Sequence, residues 1–335
     1  MKHVLMLLIG MAVVSAATAE TTLWKLDADG VDFYIGGSCH ALKASDYPLP
    51  EEFELAYSDA DQVVFETDVR ELVSPMVQAR LLEMGQYPEG ESLADHVSEE
   101  SYAELEAYCT ENELPLGRLT QLKPFFLVMS LAAVEMQKLG IGFQDGLDLY
   151  FVTKAKGDGK PILGLETTEE HIQILTAFDD SLNDELIGKF VDEMEKIGPV
   201  LEGLLAAWRA GDERKIDEFI SKDLREEHPE LYKKIIVNRN KNWIAPIEAL
   251  IAGGTNTMVV VGCGHLAGTD SVIAMLEDKG YKFDKYKVPE ASSESGDEPA
   301  VAMPGDAEPA TTAPKESSET PAVAPEKKKM ILERL

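Results

Sequence analysis

Val31-Asp32-Phe33-Tyr34-Ile35-Gly36-Gly37-Ser38-Cys39-His40 and Thr257-Met258-Val259-Val260-Val261-Gly262-Cys263-Gly264-His265 are the two stretches that decide the fold. In each, a run of β-branched and aromatic residues, the composition of a strand, leads into Gly-x-x-His. The first is followed by helical patterning near 51–59 and a strand at 61–66. The second is followed by a helix near 270–279 and a strand at 281–288. Two copies of strand–GxxH–helix–strand predict two related halves brought together in one sheet.

The remaining segments arrange themselves around these copies. Thr22 to Leu26 and Val31 to Ile35 read as a hairpin turning through Asp29-Gly30. Gln62 to Phe65, Pro161 to Leu165 and Thr257 to Val261 are continuously apolar, as expected of strands covered on both faces. Tyr281 to Val288 reads as a closing strand. Between Val69 and Gly254 apolar residues recur at three- and four-residue spacing, as in Leu127, Leu131, Val134 and Leu139. Helices are predicted near 71–84, 99–112, 124–138, 146–156, 168–178, 183–209, 213–223 and 228–252. The expected class is α/β (α+β), a central mixed sheet built from the two halves with a large helical insertion over about 70–254.

The flanks are of different character. Lys2 and His3, the apolar run Val4 to Val14 and Ala17-Thr18-Ala19 read as a secretory signal over 1–19, cleaved after Ala19. The expected location is periplasmic or secreted, with no stable membrane span after cleavage. Phe125 to Leu139, broken by Glu135, reads as a buried helix. From Pro289 the chain is rich in Pro, Ala, Ser, Glu and Thr, so 289–335 is expected to be a disordered tail of unknown partner. The chain carries 61 acidic against 31 basic side chains, a formal charge of −30. So negative a surface repels phosphate backbones and argues against nucleic acid as a partner.

Polar groups fall where these strands end. His40 and His265 follow two of them, while Glu66, with Asp68 close behind, and Glu166 end two others. Ligands of open α/β sheets collect at the carboxyl ends of strands. Two imidazoles and one or two carboxylates there suit a divalent metal with an open coordination position, zinc by default. Gly37 and Gly262 are expected to let the backbone turn and approach closely. The bland alternatives are that Glu66 and Glu166 merely cap the helices that follow, and that each histidine is a hydrogen-bonded loop residue. Matching contexts favour function for the two histidines.

Gly37-Ser38-Cys39-His40, Tyr47-Pro48-Leu49-Pro50 and Val64-Phe65-Glu66-Thr67-Asp68 together resemble the opening of the TraB/PrgY/GumN family. Gly146-Leu147-Asp148, Gly164-Leu165-Glu166-Thr167, Arg239-Asn240 with Trp243, and Gly262-Cys263-Gly264-His265-Leu266-Ala267-Gly268 continue the match, over about residues 22–288. The resemblance implies kinship with the Tiki metalloproteases and an active centre of His40, His265 and Glu66, with manganese or cobalt as candidates beside zinc. Glu166 and Arg239 match further family positions. On this reading the protein is an exported metal-dependent hydrolase, most simply a metallopeptidase acting on a peptide or protein. Glu166, or Asp68 less readily, shuttles the proton, and Arg239 stabilises an oxyanion or anchors a substrate carboxylate. The rivals are a peptide- or metal-binding protein without chemistry, and a hydrolase of a non-peptide, polysaccharide-linked substrate.

Cys39 and Cys263 depart from the usual family pattern, in which small or aliphatic residues fill the GxxH interior. They are expected to be either small buried hydrophobes or a disulfide between the halves, with metal ligation the third choice. Cys109 reads as a packed thiol.

Overall fold

The computed structural model describes residues 21–27, 30–175 and 183–289. The strands are β1 Leu23–Leu26, β2 Phe33–Ser38, β3 Leu42–Lys43, β4 Gln62–Phe65, β5 Ile141–Gly142, β6 Ile162–Gly164, β7 Thr257–Gly262 and β8 Phe283–Lys285. Six of them form one mixed sheet in the order β6-β4-β7-β2-β1-β8, and β3 pairs with β5 in a small second sheet. β2, β7, β4 and β6 pair in parallel, while β1 runs antiparallel to both β2 and β8.

The helices in chain order are α1 Glu51–Asp59, α2 Val69–Leu72, α3 Pro75–Met84, α4 Glu99–Glu111, α5 Leu116–Leu119, α6 Pro124–Lys138, α7 Leu147–Asp158 and α8 Thr168–Leu175. They continue with α9 Asn183–Glu193, α10 Ile197–Arg209, α11 Glu213–Ile220, α12 Lys222–Glu227, α13 Pro229–Tyr232, α14 Asn238–Ala252 and α15 Val272–Glu277. Local chemistry sets many of their ends. Ser74, Ser98 and Ser271 accept from backbone N–H groups at the starts of α3, α4 and α15, and Gly159, at φ +71°, stops α7.

The two expected halves lie at the centre of the sheet. β2 and β7 are parallel neighbours, paired from Phe33↔Thr257 to Ser38↔Gly262. From β2 the chain crosses by α1 to β4 on one side. From β7 it crosses by α15 to β8 on the other. The two connections pack on opposite faces: Phe53 and Tyr57 of α1 share a core with Met258 and Val260, whereas Ile273 and Leu276 of α15 share one with Val259 and Val261. Both faces of β7 are covered, which is why its sequence is continuously apolar. Adjacent parallel strands whose connections depart in opposite directions open a crevice at their carboxyl ends. Both GxxH loops stand there.

The insertion between β4 and β7 is helical but contributes β5 and β6 as well. It carries a core of its own around Leu105, Cys109, Leu127, Leu131, Ile187 and Phe190. The helix expected over 183–209 is broken by a 3-10 turn at Met194–Lys196, and the one expected over 228–252 contains a π-helical turn at Lys233–Val237. The closing strand is shorter than its apolar pattern, because its partner β1 offers a ladder only from Trp24↔Lys285 to Leu26↔Phe283. The expected leader, Asp29 of the hairpin turn, residues 176–178 and the tail from 290 lie outside the described residues. Among the described residues no helix is long and apolar enough to cross a membrane.

Candidate metal centre

The strand-end glutamates are not helix caps. Asp68 caps α2, accepting from Arg70 N and pairing with the Arg70 guanidinium, and Thr167 with Glu170 forms a reciprocal cap at the start of α8. Glu66 and Glu166 are thereby left to face the crevice.

Three expected groups converge on Gly262. A Cβ added there would stand 3.1 Å from Glu66 Oε1, 3.3 Å from His40 Nε2 and 3.6 Å from His265 Cδ2. Gly262 itself has φ −52°, so what it supplies is space rather than a turn. Its N–H donates to Glu66 Oε1 at 2.7 Å, fixing that carboxylate on the crevice floor. Glu66 Oε1 lies 3.9 Å from His265 Nε2.

Each imidazole is held by its outer nitrogen. His40 Nδ1 meets Asp148 Oδ2 at 2.8 Å, while Ser38 Oγ donates to Asp148 Oδ1 at 3.0 Å. Asp148 sits in the first turn of α7, which docks on the loop through Leu147 N donating to Cys39 O at 3.1 Å. Gly146 permits that approach, because a Cβ there would stand 2.1 Å from the His40 carbonyl oxygen. The Asp148 carboxylate raises the His40 imidazole well above its ordinary range. His265 Nδ1 meets Asn240 Oδ1 at 2.6 Å, and Asn240 Nδ2 donates to the carbonyls of His265 and Asp270. The amide oxygen therefore faces the ring, Nδ1 carries the proton, and Nε2 keeps its lone pair turned inward. Burial pushes the His265 imidazole down to about 4, so the ring is neutral at pH 7. The His40 side chain is 58% exposed and that of His265 only 6%. The site thus has a solvent-facing edge and a buried one.

Arg239 occupies the inner part of the crevice. Nε and Nη2 fork onto Glu166, Nη2 also donates to Glu66 Oε2, and Nη1 donates to His265 Nε2 at 3.0 Å and to Ile235 O. All five N–H groups of the guanidinium are used, and its plane lies over the Trp243 ring at 4.7 Å. Arg239, Asn240 and Trp243 are presented by α14, directly after the π-helical turn; such turns recur at functional sites. Burial works to raise the carboxyl of Glu66, but Arg239 and the neighbouring histidines hold it well below its usual range. For Glu166 burial is likewise outweighed, by the hydrogen bonds from His171 and Arg239.

The expected residues do not all take their expected tasks. Glu166 accepts from Arg239, from His171 at 2.7 Å and from Trp243 Nε1 at 3.1 Å, so both its oxygens are committed. Arg239 has no donor left for a substrate. Asp68 is turned away onto Arg70. Among the described residues, two groups of three bring ligand atoms within 4.8 Å of one another: Glu66, Glu166 and His171, and the exposed group Glu185, Glu227 and His228. His40, His265 and Glu66 share one floor without being so tightly gathered. His171, Asp148, Ser38 and Asn240 are site residues that sequence reasoning did not single out for a task. His171 had a signal, lying five residues after Glu166 on the helix that follows β6. The chemistry of the set fits a divalent ion at Gly262: two imidazole Nε2 atoms with oriented Nδ1 partners, one ionised carboxylate, and an open edge. Such an ion competes with Arg239 for His265 Nε2 and with the proton that the raised His40 imidazole carries on Nε2.

Cys39, Cys109 and Cys263 are free thiols, all buried. A hydrogen bond with the Cys263 thiol, together with burial, raises the Cys39 thiol well above its usual value. Cys109 packs in the core of the insertion.

The chain belongs to the TraB/PrgY/gumN family, whose profile matches residues 22–285. It is 24% identical over 244 residues to the uncharacterized protein YbaP of Escherichia coli (strain K12), covering 73% of this chain and 87% of YbaP. The YbaP of Shigella flexneri is likewise 24% identical, over 240 residues, covering 72% of this chain and 86% of that protein. A metalloprotease TIKI homolog of Amphimedon queenslandica is 22% identical over 199 residues, 52% of this chain and 39% of that protein. No solved structure matches the chain.

Proposed function

We propose that this protein is an exported metal-dependent hydrolase, a metallopeptidase acting on an extracytoplasmic peptide or protein, with zinc, manganese or cobalt held by His40, His265 and Glu66. The observation that carries the reading is the pair of imidazoles, each anchored through Nδ1 and each bringing its ring to the Gly262 floor beside an ionised Glu66. The similarity to a protein named as a metalloprotease homolog supports the class of chemistry. The ion supplies Lewis acidity toward a scissile carbonyl and toward water.

The protein's own groups do the rest. His40 forms the solvent-facing edge at which substrate enters, and Asp148 holds its ring in place. Glu66 is fixed by Gly262 N–H and Arg239, and Glu166 in turn fixes Arg239. His171, engaged by Glu166 through Nδ1, is the group placed to move a proton, in place of the fully committed Glu166. The test is metal content of the purified full chain beside His40→Ala/His265→Ala, followed by mass spectrometry of peptides incubated with and without chelator. One ion per chain, lost in the double variant, and cleavage abolished by chelator and restored by metal are the expected results. Equal metal content in both proteins overturns the site. Bound metal with uncleaved peptides replaces the hydrolase by a binding protein.

Asp148→Asn is expected to keep the fold, because Ser38 can still donate to the amide oxygen, and to weaken metal binding by about 10–100-fold. Titration calorimetry checks this. Unaltered affinity would leave Asp148 without a part in holding the ring.

A further inference from the structure

The two GxxH loops carry a cysteine each, and the sheet sets these side by side. Ser38 and Gly262 are partners in the β2–β7 ladder, and Cys39 and Cys263 are the residues that follow directly on the two strands. Neighbouring strands lie about 4.8 Å apart, inside the Cα separation of about 4.4–6.8 Å that a disulfide requires. The Cys263 backbone also lies close against β2: a Cβ on Gly37, two residues before Cys39, would stand 3.1 Å from both Cα and Cβ of Cys263. The two buried thiols belong to one apolar cluster. Cys109 lies in a different core and has neither thiol as a neighbour there.

We propose that Cys39 and Cys263 form a reversible disulfide that ties the two histidine loops together covalently. The oxidant is a small-molecule disulfide of the glutathione type. The Cys39 sulfur, beside exposed His40, attacks one sulfur of the oxidant as a thiolate, forming a mixed disulfide and expelling one small thiolate. The Cys263 thiolate then attacks the Cys39 sulfur of that mixed disulfide, forming the protein disulfide and expelling the second. The two protons given up by the cysteines end on the two small thiols released. A buried thiol exchanges slowly at neutral pH, so the reaction is run near pH 8.5 or about there. The inference stands on loop geometry and does not require the hydrolase reading.

The experiment treats the purified full chain with oxidised glutathione, blocks remaining thiols in denaturant, and maps disulfides by peptide mass spectrometry without reductant. The expected product is a cross-link between the peptides carrying Cys39 and Cys263, with Cys109 alkylated. Its thermal midpoint is expected to rise by about 5 °C and to return on reduction, because the bond closes a loop spanning the whole insertion. Cys109→Ser should behave like the parent and Cys39→Ser should show neither cross-link nor shift. Alkylation of both loop cysteines after prolonged oxidation, or cross-links running only through Cys109, overturns the proposal. The mapping on the parent chain decides the matter even if a variant folds poorly.

Discussion

Gly262→Ala is expected to lose metal binding and turnover by about 100-fold or more while the protein stays folded. The backbone at this position, φ −52° and ψ 135°, is open to any L-residue, so alanine brings no conformational strain. The N–H that holds Glu66 Oε1 is retained as well. What changes is the floor. The new methyl stands 3.1 Å from Glu66 Oε1 and 3.3 Å from His40 Nε2, closer than ordinary van der Waals contact. Glu66 is pinned by Arg239 and cannot retreat, so exposed His40 is the partner that swings away. Stability is expected to fall by about 1–3 kcal/mol, the cost of an extra methyl in a filled site, with about 0.4–1 kcal/mol of that offset because alanine restricts the unfolded chain. Metal stoichiometry, turnover and a thermal melt measured together check this. Full metal content and full activity in the alanine variant would show that the reacting space lies elsewhere.

Arg239→Met is expected to cost about 3–5 kcal/mol at pH 7 in metal-free protein. The guanidinium is the shared counter-ion of two buried carboxylates, and its loss leaves Glu66 and Glu166 facing each other without the cation between them. The effect has a definite pH signature. In the parent both carboxyls lie below their ordinary range, so they contribute stability above the unfolded-state value of about 4.3, lost as pH falls through the folded values. In the variant burial is opposed only by the neighbouring histidines and the remaining hydrogen bonds, so both carboxyls rise from their parent values. Raised in this way, they contribute less stability above the unfolded value than in the parent. The gap between parent and variant is therefore widest at neutral pH and narrows toward pH 4 or so. Urea unfolding at both pH values, in chelator, measures it. A gap of under about 1 kcal/mol, or one that does not change with pH, would mean that Arg239 is not the counter-ion of the pair.

The legible part of the centre was its rim. Apolar runs mark strands, Gly-x-x-His marks where two of them end, and Glu66 and Glu166 mark the ends of two more. Those are local signals, because burial on both faces leaves its imprint on consecutive residues. Arg239 was visible as a motif residue, but its task was not. A cation on a helix can reach outward to substrate or inward to buried acids, and only the position of α14 against β4 and β6 decides between them. The same holds for Asp148, which the docking of α7 turns from a residue of a short motif into the partner of His40. Glu166 gave the clearest divergence, since four donors from Arg239, His171 and Trp243 occupy the oxygens that a proton shuttle needs.

By itself the amino-acid sequence determined the class of fold, the family, the two histidine loops and the strongly acidic net charge. Periodicity and short motifs suffice for these because each depends on neighbours a few residues apart. Tertiary structure alone decided that β2 and β7 lie side by side, that Gly262 is the floor on which both rings meet, and that Arg239 closes the inner wall. These contacts join residues up to some two hundred positions apart, and which strands become neighbours follows from packing the whole insertion against the sheet, not from any local pattern.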